Sequence, residues 1–157
     1  MTGFRPGVRL GIDVGKARVG VARCDREGLL AVPVETVARS EASARRIAEL
    51  AVEHDAIEVL VGLPAGLSGA ETASTADARA FALEAQAATG LPVRLVDERL
   101  STVSAHAVLR EVGRSQRSSR RIVDQVAAVV LLQQAIDVEK STGHPAGALV
   151  PGSQEPA

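Results

Sequence analysis

The hydrophobic pattern of the chain changes character partway along. Val8 to Val14 is a short apolar-rich run with Gly11 inside it and Gly15 just beyond. Arg18 to Cys24 alternates Val19 and Val21 with small residues, and Leu29 to Val37 carries Leu29, Leu30, Val32, Val34 and Val37. The turn-prone stretches Gly15-Lys16-Ala17 and Asp25-Arg26-Glu27-Gly28 lie between them. Three close strands with tight links predict an antiparallel meander.

From Ser40 the spacing becomes helical. Ser40 is a candidate cap for a helix to about His54, with Ala44, Ile47, Ala48, Ala51 and Val52 on one face. Ile57 to Val61 reads as a compact strand, Gly62 to Gly69 as a loop, and alanine-rich Ala70 to Thr89 as a helix closed by Gly90. Val93 to Val96 is another strand, and Ser101 caps a predicted helix ending near Val112. Polar Gly113 to Ser119 leads into an apolar helix from Arg120 to Lys140. Residues 141–157 show no periodicity and are expected to be disordered. Strands separated by helices add in parallel. The expected fold class is therefore α/β, one domain over residues 1–140 with a five-stranded mixed sheet: three antiparallel strands first, then two parallel.

Composition narrows the functional classes. At 157 residues with 46% hydrophobic content the chain has material for one cored domain. Its net charge of −1 means that any nucleic-acid affinity comes from local patches. Two Phe, with neither Trp nor Tyr, argue against binding single strands by base stacking. The single cysteine, Cys24, makes no internal disulfide and no zinc cluster. The start MTGFRPGVRL lacks an apolar signal core, and the longest wholly apolar run, Val126 to Leu132, is far short of a membrane span. These features predict a cytoplasmic protein with no membrane partner.

Three carboxylates stand in apolar company. Asp13 lies among Leu10, Ile12 and Val14, where it either opens the turn before Gly15 or serves a site. Asp97 and Glu98 follow the strand Val93 to Val96 and point to opposite faces if the strand persists, so one of the two reaches the working face. Asp124 shares a helical face with Ala127, Ala128 and Leu131, whose short side chains permit close approach to a sheet. It either complements the helix N-terminus or joins a site. If the acids converge, their oxygen-only ligand set suits Mg²⁺ or Mn²⁺. His54, His106 and His144 are too scattered to compete.

Four segments carry a family resemblance: GIDVGKARVGVARCD (11–25), VGLPAGLSG (61–69), VDERLST (96–102) and VDQVAAVVLLQ (123–133). Together they are similar to the motifs of the YqgF family of pre-16S rRNA nucleases and Holliday junction resolvase-like proteins. The likeness covers about residues 8–138 and implies an RNase H-like nuclease fold. It implies catalytic, metal-binding acids at Asp13, Glu98 and Asp124, with Asp97 the neighbour to be distinguished from Glu98. Related resolvases carry a further acid one turn later in the last helix; here positions 127 and 128 are both Ala. The implied chemistry is metal-assisted phosphodiester hydrolysis leaving a 5′-phosphate and a 3′-hydroxyl.

Lys16, Arg18, Arg99, Arg114, Arg117, Arg120 and Arg121, with Arg110, are the candidate substrate-binding residues, placed to hold backbone phosphates. The implied partner is nucleic acid, pre-rRNA or branched DNA, in association with a ribosome precursor in the first case. Oligomeric state stays open. Two other classes compete: sugar-kinase or actin-like ATPases, which share the strand–DxG–strand start but need a second domain to enclose ATP, and non-catalytic RNA-binding or transcription-associated factors on the same scaffold.

Overall fold

A computed structural model describes residues 4–64, 72–98 and 120–153, with only the helical backbone described for residues 120–124. The elements run β1 (Val8–Val14), β2 (Arg18–Cys24), β3 (Ala31–Ala38), α1 (Ser43–Glu53), β4 (Ala56–Leu63), α2 (Ala73–Thr89), β5 (Val93–Asp97), α3 (Arg120–Thr142) and β6 (Ala148–Leu149). The sheet order is β3-β2-β1-β4-β5-β6. β1, β2 and β3 form the expected antiparallel meander, and β4 and β5 add in parallel beside β1. The helix predicted over Ser101 to Val112 and the segment Gly113 to Ser119 fall outside the described residues.

Two expectations are corrected. Among the described residues the sheet has six strands, because β6 pairs antiparallel with β5 through Arg94↔Leu149 and Leu95↔Ala148. That strand arises in the stretch expected to be disordered. Val150 donates its N–H to Val93 O, and Ala146 and Val150 are buried. A two-residue strand pinned by a few apolar anchors leaves no periodicity to read. Gly62 and Leu63 also belong to β4 rather than to a loop, with Gly62↔Val96 and Leu63↔Asp97 paired across to β5.

Helix ends differ by a few residues. Ser40 does not cap α1; it forms a turn in which Ser43 Oγ accepts the Ser40 N–H at 2.7 Å, and Ala42 precedes the helix without a side-chain cap. α2 opens on Thr72 and Thr75, each hydroxyl accepting the other residue's backbone N–H. Thr75 also donates to Pro64 O, tying the helix start to the end of β4. Gly90, at φ 70°, closes α2 as predicted.

Each face of the sheet buries its own core. Val8, Leu10, Ile12, Val19, Val21, Val59, Val61 and Val93 face α1 and α2, meeting Ile47, Leu50, Phe81 and Ala85. Ala22, Cys24, Leu60 and Val96 face α3, meeting Ala128, Leu131, Leu132, Ala135 and Ile136. Burying one such aliphatic side chain stabilises by about 1.5–3 kcal/mol, so both layers contribute. The α3 face is also polar at one end. Glu139 accepts from Arg9 at 2.9 Å and from Arg5 at 2.8 Å, while Glu58 accepts from Arg94 at 3.0 Å and Arg5 at 3.1 Å. Arg9, Glu58, Arg94 and Glu139 are all at least 95% buried. No helix among the described residues is long and apolar enough to cross a membrane.

Candidate active site

Strand alternation decides which side chains share the α3 face. Leu10 and Ile12 belong to the α1/α2 core, so Arg9, Gly11 and Asp13 point the other way. Gly11 lies directly under α3: a Cβ there would sit 2.8 Å from Leu132 Cβ and 3.1 Å from Ala128 O. Glycine at position 11 thus lets the helix backbone approach β1 closely.

Two hydrogen bonds set the direction of α3. Gln133 Oε1 accepts the N–H of Ala31 at the start of β3, and Gln125 Nε2 donates to Thr36 Oγ1 near its end, both at 2.9 Å. The helix therefore runs against β1 and β3. Thr36 pairs with Gly20, and Gly20 with Asp13, so Gln125 stands at the row of Asp13. A helical turn of about 5.4 Å nearly matches the roughly 6.6 Å between alternate strand residues. Ala128 lies over Gly11, and position 124, one turn earlier in the helix, comes to the Asp13 row. The side chain of Asp124 lies outside the described residues.

Glu98 comes from the far side. Val93 and Leu95 join the α1/α2 core and Val96 the α3 core, so Asp97 leaves the sheet on the α1/α2 side and Glu98 on the α3 side. The Glu98 carboxyl makes a hydrogen bond with Asp13. β4 separates β1 from β5, and the gap is closed over Gly62: a Cβ at that position would lie 2.6 Å from Glu98 Oε1. The acid that meets Asp13 is therefore Glu98 rather than Asp97.

Burial pushes the Glu98 carboxyl above its ordinary range; the hydrogen bond with Asp13 opposes the rise and the nearby Asp97 charge adds to it. A hydrogen bond between two carboxyl groups requires one of them to carry a proton, so ionising both leaves two like charges in contact. Their hard oxygen donors and partly desolvated setting fit a divalent cation of the Mg²⁺ type. Among the described residues no three acids, histidines or cysteines gather into a metal-ligating group; Asp13 and Glu98 form a pair, with position 124 one helical layer above.

Of the basic candidates, only Lys16 and Arg18 have described side chains. Arg18 begins β2 and is half-buried. Lys16 is exposed and lines a cleft on the α2 side with Val14, Arg39, Ser74 and Asp77. In that cleft Arg39 donates to both Asp77 oxygens at 2.7 and 2.9 Å and to Gly15 O at 2.8 Å. Arg120 and Arg121 open α3, while Arg99, Arg110, Arg114 and Arg117 lie outside the described residues. Gly11, Gly62, Thr36 and Gln125 shape the site and escaped sequence reasoning. Glycine inside an apolar strand was the available signal, since it marks close approach of another group.

Known proteins resemble the chain in sequence and in fold. The profile of the RuvX family, described as Holliday junction resolvase, matches residues 7–138. A protein of Leifsonia xyli named "Putative pre-16S rRNA nuclease" is 57% identical over 146 residues, covering 92% of this chain and 94% of its own. A Thermobifida fusca protein of the same name is 50% identical over 158 residues, covering 96% and 99%. Among solved structures, Thermus thermophilus RuvC in complex with a Holliday junction substrate superimposes with a TM-score of 0.62 at 18% identity, covering 88% of this chain and 98% of that one. At that identity the likeness is one of fold, and it bears out the RNase H-like architecture.

Proposed function

The chain belongs to the RuvX family, and from that premise we propose that it is a metal-dependent endonuclease hydrolysing phosphodiester bonds in structured nucleic acid. The observation that carries the proposal is the Asp13–Glu98 carboxyl pair, assembled from two non-adjacent strands beneath the start of α3. Asp13, Glu98 and Asp124 are the catalytic acids and would hold Mg²⁺ or Mn²⁺. Bound to that set, the ion supplies Lewis-acid chemistry, raising the nucleophilicity of a water and offsetting charge on the phosphodiester oxygens.

The remaining work belongs to the chain's own residues. Asp13 and Glu98 would serve as ligands in their ionised form, and burial of the Glu98 carboxyl opposes that form until a cation compensates its charge. Gln125 fixes the first turns of α3 on Thr36, so position 124 stays at the Asp13 row. Arg110, Arg114, Arg117, Arg120 and Arg121, close in sequence to Asp124, hold backbone phosphates beside the acids, with Lys16, Arg18 and Arg99 extending the grip. The products are a 5′-phosphate and a 3′-hydroxyl.

The proposed substrate is the 5′ end of pre-16S rRNA, processed during ribosome biogenesis in the cytoplasm in association with a ribosome precursor. The names borne by relatives at 50–57% identity favour it. The family description favours a second reading, resolution of branched DNA. Purified protein with Mg²⁺ or Mn²⁺, offered a pre-rRNA duplex and a four-way DNA junction beside Asp13→Asn, separates them. Cleavage of RNA alone supports the first reading and cleavage of the junction alone the second. Activity that survives Asp13→Asn, or none on either substrate, rejects this nuclease site and returns the chain to the class of non-catalytic RNA-binding factors.

A further inference from the structure

We infer that Gly62 is a positioning residue of the acid site: the missing side chain on β4 is the passage through which Glu98, carried on the end of β5, reaches Asp13 on β1. The inference rests on the acid-site reading above and adds a residue to it.

β4 lies between β1 and β5. With strands about 4.8 Å apart, the outer two are separated by about 10 Å, and a side chain from one reaches the other only across the strand between. Asp13 stands one residue past the Ile12↔Val61 pair, level with Gly62, and Gly62 pairs with Val96, two residues before Glu98. The three positions thus form a diagonal across the α3 face, with Gly62 at its centre.

A Cβ at Gly62 would lie 2.6 Å from Glu98 Oε1 and 3.2 Å from Glu98 Cγ. Carboxylate oxygen and methyl carbon do not share that space. Backbone conformation gives no other reason for glycine here. Gly62 is not among the glycines with positive φ, and it sits within the regular register of β4 with β5. Glycine in a strand interior normally weakens the strand, so what it provides at position 62 is room. Two groups use that room: the Glu98 carboxyl, and Leu131 of α3, whose Cδ2 would be 3.1 Å from the added carbon. Both are ends of flexible side chains. Gly62→Ala therefore leaves the fold standing and turns the Glu98 carboxyl away from Asp13.

The test separates position from packing. Mn²⁺ binding is measured by calorimetry on the full-length wild type, Gly62→Ala, Asp13→Asn and the double variant Gly62→Ala/Leu131→Ala, with thermal melts in metal-free buffer. Gly62→Ala is expected to melt close to wild type and to bind Mn²⁺ about 10–100-fold more weakly, as when the support of a metal ligand is removed. The double variant restores room for packing without restoring room for Glu98, so its affinity stays low; it also serves if Gly62→Ala alone folds poorly. Wild-type affinity in Gly62→Ala, or recovered affinity in the double variant, overturns the inference and makes Gly62 a packing residue. Unchanged affinity in Asp13→Asn is a separate outcome. It removes the acid site itself, and the role of Gly62 falls with it.

Discussion

Asp13 and Glu98 share a hydrogen bond across a strand that carries neither of them. The bond joins the first motif of the chain to the third, and it places an electrostatic load at one end of the α3 face. Burial and the neighbouring Asp97 charge both favour the protonated Glu98 carboxyl.

Glu98 is therefore expected to make stability fall as pH rises. A carboxyl whose folded-state value is raised contributes stability that is fully present below its unfolded value, about 4.3. That contribution is lost as pH climbs through the raised folded value. In metal-free buffer Glu98→Gln should melt at or above wild type at neutral pH and lose this part of the pH dependence, while cleavage is abolished. Asp124→Asn should likewise abolish cleavage without lowering the melting temperature at neutral pH. A large loss of melting temperature in either variant at neutral pH would assign that acid a structural role instead.

Glu139 should act in the opposite sense. Burial alone would raise its carboxyl, but hydrogen bonds from the Arg5 side chain and N–H, with the Arg9 charge, hold it below the ordinary range. Its contribution is present above the unfolded carboxylate value and lost as pH falls through the folded one. Glu139→Gln strips the counter-charge from Arg9 at 1% exposure, and removing one partner of a buried pair costs about 3–5 kcal/mol. Urea denaturation at neutral pH measures that loss, and the acid limb of the stability profile should become shallower. Because Glu139 lies at the opposite end of the α3 face from Asp13, cleavage per folded molecule should persist.

Gly11 sets how closely α3 approaches the sheet. Gly11→Ala places a carbon 2.8 Å from Leu132 Cβ and 3.1 Å from the Ala128 carbonyl, and the second of these is backbone that cannot rotate aside. Overpacking of this kind costs about 1–3 kcal/mol. The helix should lift, and position 124 with it, so activity measured well below the melting temperature should fall further than the folded fraction does. Equal losses in both would mean that helix height does not govern the site.

Arg114 and Arg117 test the proposed phosphate grip. Replacing both with Ala should weaken binding of duplex RNA and branched DNA alike, and should flatten the salt dependence by about 0.7–0.9 log units for each phosphate no longer neutralised. Turnover at saturating substrate should change less than apparent affinity. Binding assays across a salt series check this directly, and an unchanged slope would leave the arginines as a solvated segment.

Much of the fold was legible from the sequence because it rests on local periodicity. The apolar run Val8 to Val14, the alternation over Arg18 to Cys24, the tight turn between them, and a helical run from Arg120 all follow from how side chains repeat along a strand or a helix. β6 was not legible, since Ala148 and Leu149 have no pattern of their own and pair only because the edge of β5 is there to receive them.

The site divides along the same line. Local context by itself singled out Asp13, the adjacent Asp97 and Glu98, and Asp124, because a carboxylate among apolar neighbours is costly without a purpose. It left Asp97 and Glu98 unresolved and read Gly62 as loop. Tertiary structure decided both. The face on which β5 presents each residue depends on which core Val93, Leu95 and Val96 join, and the need for glycine at position 62 depends on a side chain 36 residues away crossing over it. Periodicity is a property of neighbours in the chain, whereas the meeting of Asp13 with Glu98 depends on the order of strands in the sheet, which local sequence does not encode.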